Sequence, residues 1–189
     1  MASAEVDVQL VLVTGASGYI ASHVVQQLLK NGYRVRGTVR SKKNATKVQH
    51  LLNLCPDAQH ELELVEADLL DVESWKPAVD GCSHVIHVAS PFPSEAPKHE
   101  DEIIKPALEG TLNVLKACQN AGTVKRVVVT SSIAAVSGGF TGESNVVFSE
   151  KDWPNVDTIG TYEKSKTLAE KAAWDFVDKL KVIFYVFKI

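Results

Sequence analysis

Val8-Gln9-Leu10-Val11-Leu12-Val13-Thr14-Gly15-Ala16-Ser17-Gly18-Tyr19-Ile20-Ala21 is the stretch whose reading decides the fold. It begins as an almost unbroken apolar run, the pattern of a strand covered on both faces, and then breaks at Gly15 and Gly18. A helical pattern follows from Tyr19 to Lys30, where Asn31-Gly32 supplies a C-terminal stop. Glycines at a strand-to-helix turn admit a tight bend and close approach of backbone to a ligand. The free N–H groups of the helix N-terminus then attract an anion such as a pyrophosphate. Ala21 keeps the helix close to the strand. The spacing is Gly-x-x-Gly-x-x-Ala, not the Gly-x-Gly-x-x-Gly of the simplest dinucleotide fingerprint, so the strand-to-helix setting carries the reading as much as the glycines do.

The same punctuation repeats downstream. β-Branched runs at Arg34–Val39, Glu61–Glu66, His84–Ala89 and Arg126–Thr130 alternate with helical patterns at Ala45–Leu54, Val72–Val79, Glu102–Asn120 and Ser165–Lys179. Asp71 is placed to cap the third helix, and Pro106 is expected to kink or shorten the start of the long helix near Ile104. Ser90-Pro91-Phe92-Pro93 and Ala96-Pro97 read as a rigid loop after the fourth strand. The expectation is one α/β domain over residues 1–189, a doubly wound parallel sheet with helices on both faces. Ligands of such a sheet bind beyond the carboxyl ends of the strands, where strand order reverses between the first and the fourth.

Composition narrows the partners. With 20 Lys and Arg against 23 Asp and Glu, the chain offers no electrostatic argument for nucleic acid or an anionic membrane, and small molecules are the expected ligands. The segment Met1–Asp7 lacks the basic and apolar regions of a secretory signal, and no later run is long enough to span a bilayer, which points to a cytoplasmic location. Cys55, Cys82 and Cys118 are odd in number and far apart, so we expect ordinary thiols and neither disulfides nor a metal site. His84 and His87 have no third ligand at a suitable spacing, and packing or backbone hydrogen bonding is the expected role for both. Nothing in the sequence indicates the oligomeric state.

The second strand ends Thr38-Val39-Arg40, where a dehydrogenase preferring NAD would carry an acidic residue for the adenosine ribose. Arginine there suits a 2′-phosphate, and Lys43 or Lys47 adds charge, so NADP(H) is the expected cofactor. The alternative is a solvated basic face made by Arg34, Arg36, Arg40 and the lysines. Asp68-Leu69, just past the third strand, is placed to touch the adenine.

Tyr162 and Lys166 complete the pattern. A phenol ionises near pH 10 and an amine near 10.4, so neither carries protons usefully alone at neutral pH. Four residues apart on a helix they share one face, where the ammonium favours the phenolate. The pair then suits hydride-transfer chemistry in which Tyr162 gives a proton to a carbonyl oxygen and Lys166 acts through its charge and holds the nicotinamide ribose. A hydroxyl from Thr130, Ser131 or Ser132, at the carboxyl end of the fifth strand, would orient that oxygen. Asn113, on the long helix, is read as an exposed or helix-packing amide ahead of an anchor for a relay water.

Taken together, Gly15-x-x-Gly18-x-x-Ala21, Asp68-Leu69, Ser132 and Tyr162-x-x-x-Lys166 resemble the extended short-chain dehydrogenase/reductases, whose dinucleotide-binding fold is of Rossmann type. Arg34–Arg40, Gly81–Pro91 and Ser165–Trp174 are similar to the dihydroflavonol 4-reductase branch, which also holds cinnamoyl-CoA reductases and NADPH-dependent aldehyde and ketone reductases. The resemblance runs from about Gln9 to Asp178. It implies catalytic roles for Ser132, Tyr162 and Lys166, and cofactor contacts from Gly15, Ser17, Gly18, Tyr19, Ile20, Arg40, Asp68, Leu69, Val88, Ala89 and Ser90.

Two departures keep the implied substrate generic, an aldehyde or ketone. Gly160-Thr161 replaces the Asn-Trp pair of cinnamoyl-CoA reductases, and Ser137 stands where dihydroflavonol reductases commonly carry Asn. Members of that branch continue after the sixth strand into a substrate lobe, whereas this chain stops at Ile189 after the strand-like run Lys181–Ile189, so the lobe is expected to be missing. Two other readings remain at this point. One is a nucleotide-sugar epimerase or dehydratase, disfavoured by Arg40 and by His87–Pro91. The other is a catalytically idle cofactor-binding or interaction protein.

Overall fold

The chain alternates strands and helices: β1 (Leu10–Val13), α1 (Tyr19–Lys30), β2 (Arg34–Val39), α2 (Ala45–Leu52), β3 (Glu63–Glu66), α3 (Trp75–Val79), β4 (His84–His87), α4 (Asp101–Ala121), β5 (Arg126–Thr130), α5 (Ala134–Ser137), α6 (Thr161–Leu180) and β6 (Phe184–Phe187). The computed structural model describes residues 9–92, 95, 97–142, 145–180 and 184–187. Its six strands form one sheet in the order β3-β2-β1-β4-β5-β6, every neighbouring pair parallel. Strand order moves one way from β1 to β3 and then restarts on the other side of β1 with β4. The expected reversal point therefore lies between β1 and β4, where Val13 pairs with Ile86.

Both faces of the sheet are covered, and β1 shows why its sequence is apolar throughout. Leu10 and Leu12 pack with Trp75, Val79, Val114, Leu115, Cys118 and Ala173 of α3, α4 and α6. Val13 packs on the opposite face with Ala21, Val25 and Leu29 of α1 and Val48 and Leu51 of α2. The four-residue spacing of Ala21, Val25 and Leu29 makes the buried stripe of α1. Leu12 has no exposed surface, and truncating such a side chain to alanine typically costs about 2–5 kcal/mol. Cys82 and Cys118 are buried and Cys55 half-buried, and all three are free. Burial pushes Cys82 up to about 11 and Cys118 up to about 12.

Several expected boundaries shift for identifiable reasons. β4 stops at His87, two residues before Ala89, because the Val88 and Ala89 N–H groups leave the ladder and bond to the Thr14 hydroxyl. β3 starts at Glu63, where its pairing with Arg36 of β2 begins. α2 ends at Leu52 with Asn53 as its cap, short of Leu54. The third helix opens as a 3-10 turn at Val72–Ser74, with Asp71 capping it as expected through the Glu73 N–H. Pro106 does not shorten α4, which starts upstream of it at Asp101. It sits in the second turn, past the unpaired first donors, so the helix continues through it at the cost of one backbone bond, the one a residue with an N–H would make to the Glu102 carbonyl. α6 begins at Thr161, so Tyr162 lies within its first turn and not ahead of it.

Val8, Pro93, Ala96 and residues 1–7, 181–183 and 188–189 of the expected elements lie outside the described residues. Among the described residues no helix is long and apolar enough to cross a membrane.

Candidate active site

Gly15 takes a left-handed conformation with φ 66°, and a Cβ there would meet Ala89 Cβ at 3.1 Å. The turn after β1 therefore presses backbone against the loop after β4, across the reversal point. Gly15 N–H donates to the Thr38 hydroxyl at 2.9 Å and Ala16 N–H to the Thr38 carbonyl at 2.8 Å, which ties the turn to β2 as well. Gly18 is extended and sits at the N-cap of α1, without a side-chain cap. Ser22 N–H, bonded to Gly18 O, is the first to join the helix, so the N–H groups of Tyr19, Ile20 and Ala21 form its open end. Ser17 is half-buried, Gly18 exposed, and the Tyr19 and Ile20 side chains face outward.

Arg40 follows β2 directly and is exposed. The next turn is held by Glu66, whose carboxylate accepts from Lys42 N–H at 2.7 Å. Lys47 lies in the first turn of α2, its N–H capped by the Asn44 side chain, and its own side chain is exposed. Arg36 belongs to a different job: it pairs with Glu63 at 2.9 Å and donates to the Ala78 and Asp80 carbonyls, bracing the sheet. Arg34, Arg36 and Arg40 fall at positions of the same strand parity, but Arg36 is withdrawn into the Glu63 pair, which leaves Arg34 and Arg40 as the exposed guanidiniums of the expected basic face.

Asp68 is exposed and Leu69 half-buried. Asp68 folds its own loop, accepting from Leu70 N–H at 3.0 Å. Gly110 of α4 admits Leu69, since a Cβ there would come within 2.8 Å of it, and Asn113 donates to the Leu69 carbonyl at 2.9 Å. Asn113 is therefore a packing amide, as its helix position suggests.

At the other end of the cleft, β5, α6 and the loop after β4 converge. Lys166 is buried, and its Nζ donates to the Thr130 carbonyl at 3.1 Å. Burial pushes its pKa down to about 8, partly opposed by the charge of Glu170. Ser131 turns its hydroxyl to the buried Glu170 carboxylate, which also accepts from Trp174 Nε1 at 3.2 Å. Ser132 is buried at the strand end and accepts from Ala134 N–H at 3.2 Å, which starts the short α5. Of the three hydroxyl candidates, Ser131 is thus committed to the helix behind it. The Phe92 ring stands edge-on to Tyr162, with centroids 5.2 Å apart.

His87 and His84 bond to side chains rather than to backbone. His87 lies between Thr14 and Thr111, at 2.8 and 3.4 Å, and burial, reinforced by the Lys166 charge, pushes it down to about 3. His84 bonds Ser83 at 2.9 Å. Thr38, Glu66 and Glu170 were not singled out from sequence. Glu170 alone had a readable signal, an acidic residue one turn beyond Lys166 on the face that helical periodicity buries.

A cradle of open N–H groups beside a glycine turn, a cationic rim after β2 and a buried ammonium below a phenol can bind a dinucleotide and move a proton. Comparison with known proteins places the chain among reductases and their structural neighbours. The chain is 45% identical over 181 residues to a bifunctional dihydroflavonol 4-reductase/flavanone 4-reductase from Malus domestica, matching 92% of this chain and 51% of that protein. Vestitone reductase from alfalfa (Medicago sativa) superimposes with a TM-score of 0.76 at 36% identity, over 94% of this chain and 55% of its own. Gre2 from Candida albicans, in complex with NADPH, gives a TM-score of 0.80 at 36% identity, over 95% and 56%. The chain thus spans about half the length of these relatives. The model of the NAD dependent epimerase/dehydratase family matches residues 11–188, and the chain belongs to that family.

Proposed function

We propose that the chain binds NADP(H) and reduces the carbonyl of a small aldehyde or ketone. The residues present fit the cofactor: the close Gly15–Ala89 approach leaves no room for a side chain at Gly15, and the open N-terminus of α1 offers donors to a pyrophosphate. Arg40, with Lys47 nearby on α2, would pair with the adenosine phosphate, and Asp68-Leu69 and Val88–Ser90 would flank the rest. When bound, a nicotinamide cofactor supplies hydride to the carbonyl carbon.

The chain's own residues do the remainder. Ser132 orients the carbonyl oxygen by donating a hydrogen bond. Tyr162 delivers the proton as negative charge develops on that oxygen. Lys166 keeps a positive charge one turn below Tyr162 and donates to the cofactor ribose. The observation that carries this reading is the Lys166 anchor on Thr130 O, which holds a buried cation against the strand end that bears Ser132. NADPH-bound Gre2 and the reductase relatives support the cofactor and the reaction class.

The test measures NADPH and NADH binding and then turnover of aldehydes and ketones by the chain and by Tyr162→Phe. Preferential NADPH binding, with turnover abolished by Tyr162→Phe, is expected. Tight NADPH binding without turnover in either protein would overturn the enzyme reading and leave a cofactor-binding protein.

A further inference from the structure

Five hydrogen bonds link α4 through the middle of the sheet to the loop after β4, and the donor inventory fixes the direction of each. Thr14 Oγ1 accepts from Val88 N–H at 3.0 Å and from Ala89 N–H at 2.9 Å. A hydroxyl has two lone pairs and one proton, so with both lone pairs taken its proton must go elsewhere. The remaining partner is His87 Nδ1, at 2.8 Å, which therefore accepts. On the far side of the ring, Thr111 uses its proton on the Ala107 carbonyl at 2.8 Å, so its oxygen can only accept from His87 Nε2, at 3.4 Å. Thr14, His87 and Thr111 are all buried, so no water competes for these positions.

We propose that His87 is a positioning residue for the cofactor loop: held as the neutral Nε2–H tautomer, it takes the Thr14 proton and so reserves both Thr14 lone pairs for Val88 and Ala89. The wrong tautomer would place an N–H against the Thr14 hydroxyl. Thr14 would then accept from His87, and one of the two amides would lose its acceptor. Ala89 is the residue packed against Gly15, so the cleft floor shifts with it. This inference rests on the reading that Val88 and Ala89 line a cofactor site, but the network can be tested without any cofactor.

Long-range 1H–15N correlation spectra of histidine-labelled protein at pH 7, with the His87 signals identified by their loss in His87→Asn, report the tautomer directly. The Nε2–H pattern is expected. An Nδ1–H pattern or an imidazolium overturns the proposal. Amide exchange supplies a second readout. In His87→Leu, which removes the acceptor, the Val88 and Ala89 amides should exchange roughly tenfold faster than in the unmodified chain. His87→Asn, whose Oδ1 replaces Nδ1 as acceptor, should restore most of that protection. Equal protection in all three proteins would overturn the proposal.

NADPH affinity should fall roughly tenfold in His87→Leu and little further when His87→Leu is added to Thr14→Val, because one acts through the other. Additive losses would mean that His87 does not act through Thr14. Absence of NADPH binding in the unmodified chain would defeat the cofactor reading alone, leaving the tautomer and amide results to decide this one.

Discussion

Lys166 and Glu170 lie one turn apart on the buried side of α6, and both are tied to the end of β5: Lys166 donates to the Thr130 carbonyl at 3.1 Å, and Glu170 accepts from the Ser131 hydroxyl. The ammonium is thus desolvated but faces a carboxylate, and burial is the larger effect, leaving Lys166 at about 8 against an ordinary value of 10.5. A cation needed for turnover is then present below about pH 8 and lost above it. Reductase kcat/KM should fall as pH rises through about 8, and Glu170→Gln should move that fall to lower pH by about one unit. Stability runs the other way. The unfolded chain keeps this proton up to its ordinary value while the folded chain releases it earlier, so the fold gains up to about 3 kcal/mol across that window. Denaturant unfolding at pH 8 and pH 10 reads this gain; a flat activity profile to pH 10 would remove Lys166 as the titrating group.

His87 titrates in the acid range with a consequence for folding. Its folded value is depressed to about 3, so between pH 6.5 and 3 the unfolded chain takes up a proton that the folded chain refuses. Stability contributed by the neutral ring is complete above about 6.5 and is lost progressively below it. At pH 5 the loss is about 2 kcal/mol. Urea unfolding at pH 7 and pH 5 should show a drop of this size in the unmodified chain and a smaller one in His87→Asn, which cannot take up the proton.

Neighbouring serines should separate into two functions. Ser132→Ala is expected to lower kcat on the order of a hundredfold with little change in stability, since it removes a donor to developing charge. Ser131→Ala removes one hydrogen bond from a buried carboxylate and should cost about 1–3 kcal/mol of stability. Its kcat should change far less. Thermal unfolding and steady-state kinetics of the two variants decide the assignment, and equal kcat losses would defeat it.

Strand and helix types were legible wherever a periodic run was long. β2, β5 and α1 match their expected limits because each is bounded by its own turn residues or charges. The early end of β4 was not legible, because it depends on a hydroxyl supplied by Thr14 from another strand. α5 was missed because its four residues show no period. At the site, Gly15, Tyr162 and Lys166 announced themselves through backbone freedom and spacing. Thr14 and Thr38 did not, because a buried hydroxyl acquires its role only from partners distant in the chain.

Arg40 bears on the choice between the two nicotinamide dinucleotides, which differ by a 2′-phosphate. It extends from the end of β2 into solvent, beside a turn fixed by the bond from Lys42 N–H to Glu66. A guanidinium pairing with phosphate makes charge-assisted hydrogen bonds worth about 1.5–3 kcal/mol, or roughly ten- to a hundredfold in affinity. Arg40→Ala should weaken NADPH binding by that factor and leave NADH binding nearly unchanged. Because the side chain is exposed, raising the ionic strength should shrink the NADPH preference of the unmodified chain and barely affect the variant. Calorimetric titration with both cofactors at two salt concentrations measures all four quantities. Equal affinity for NADPH and NADH in the unmodified chain would remove Arg40 from the specificity argument and return it to the solvated surface.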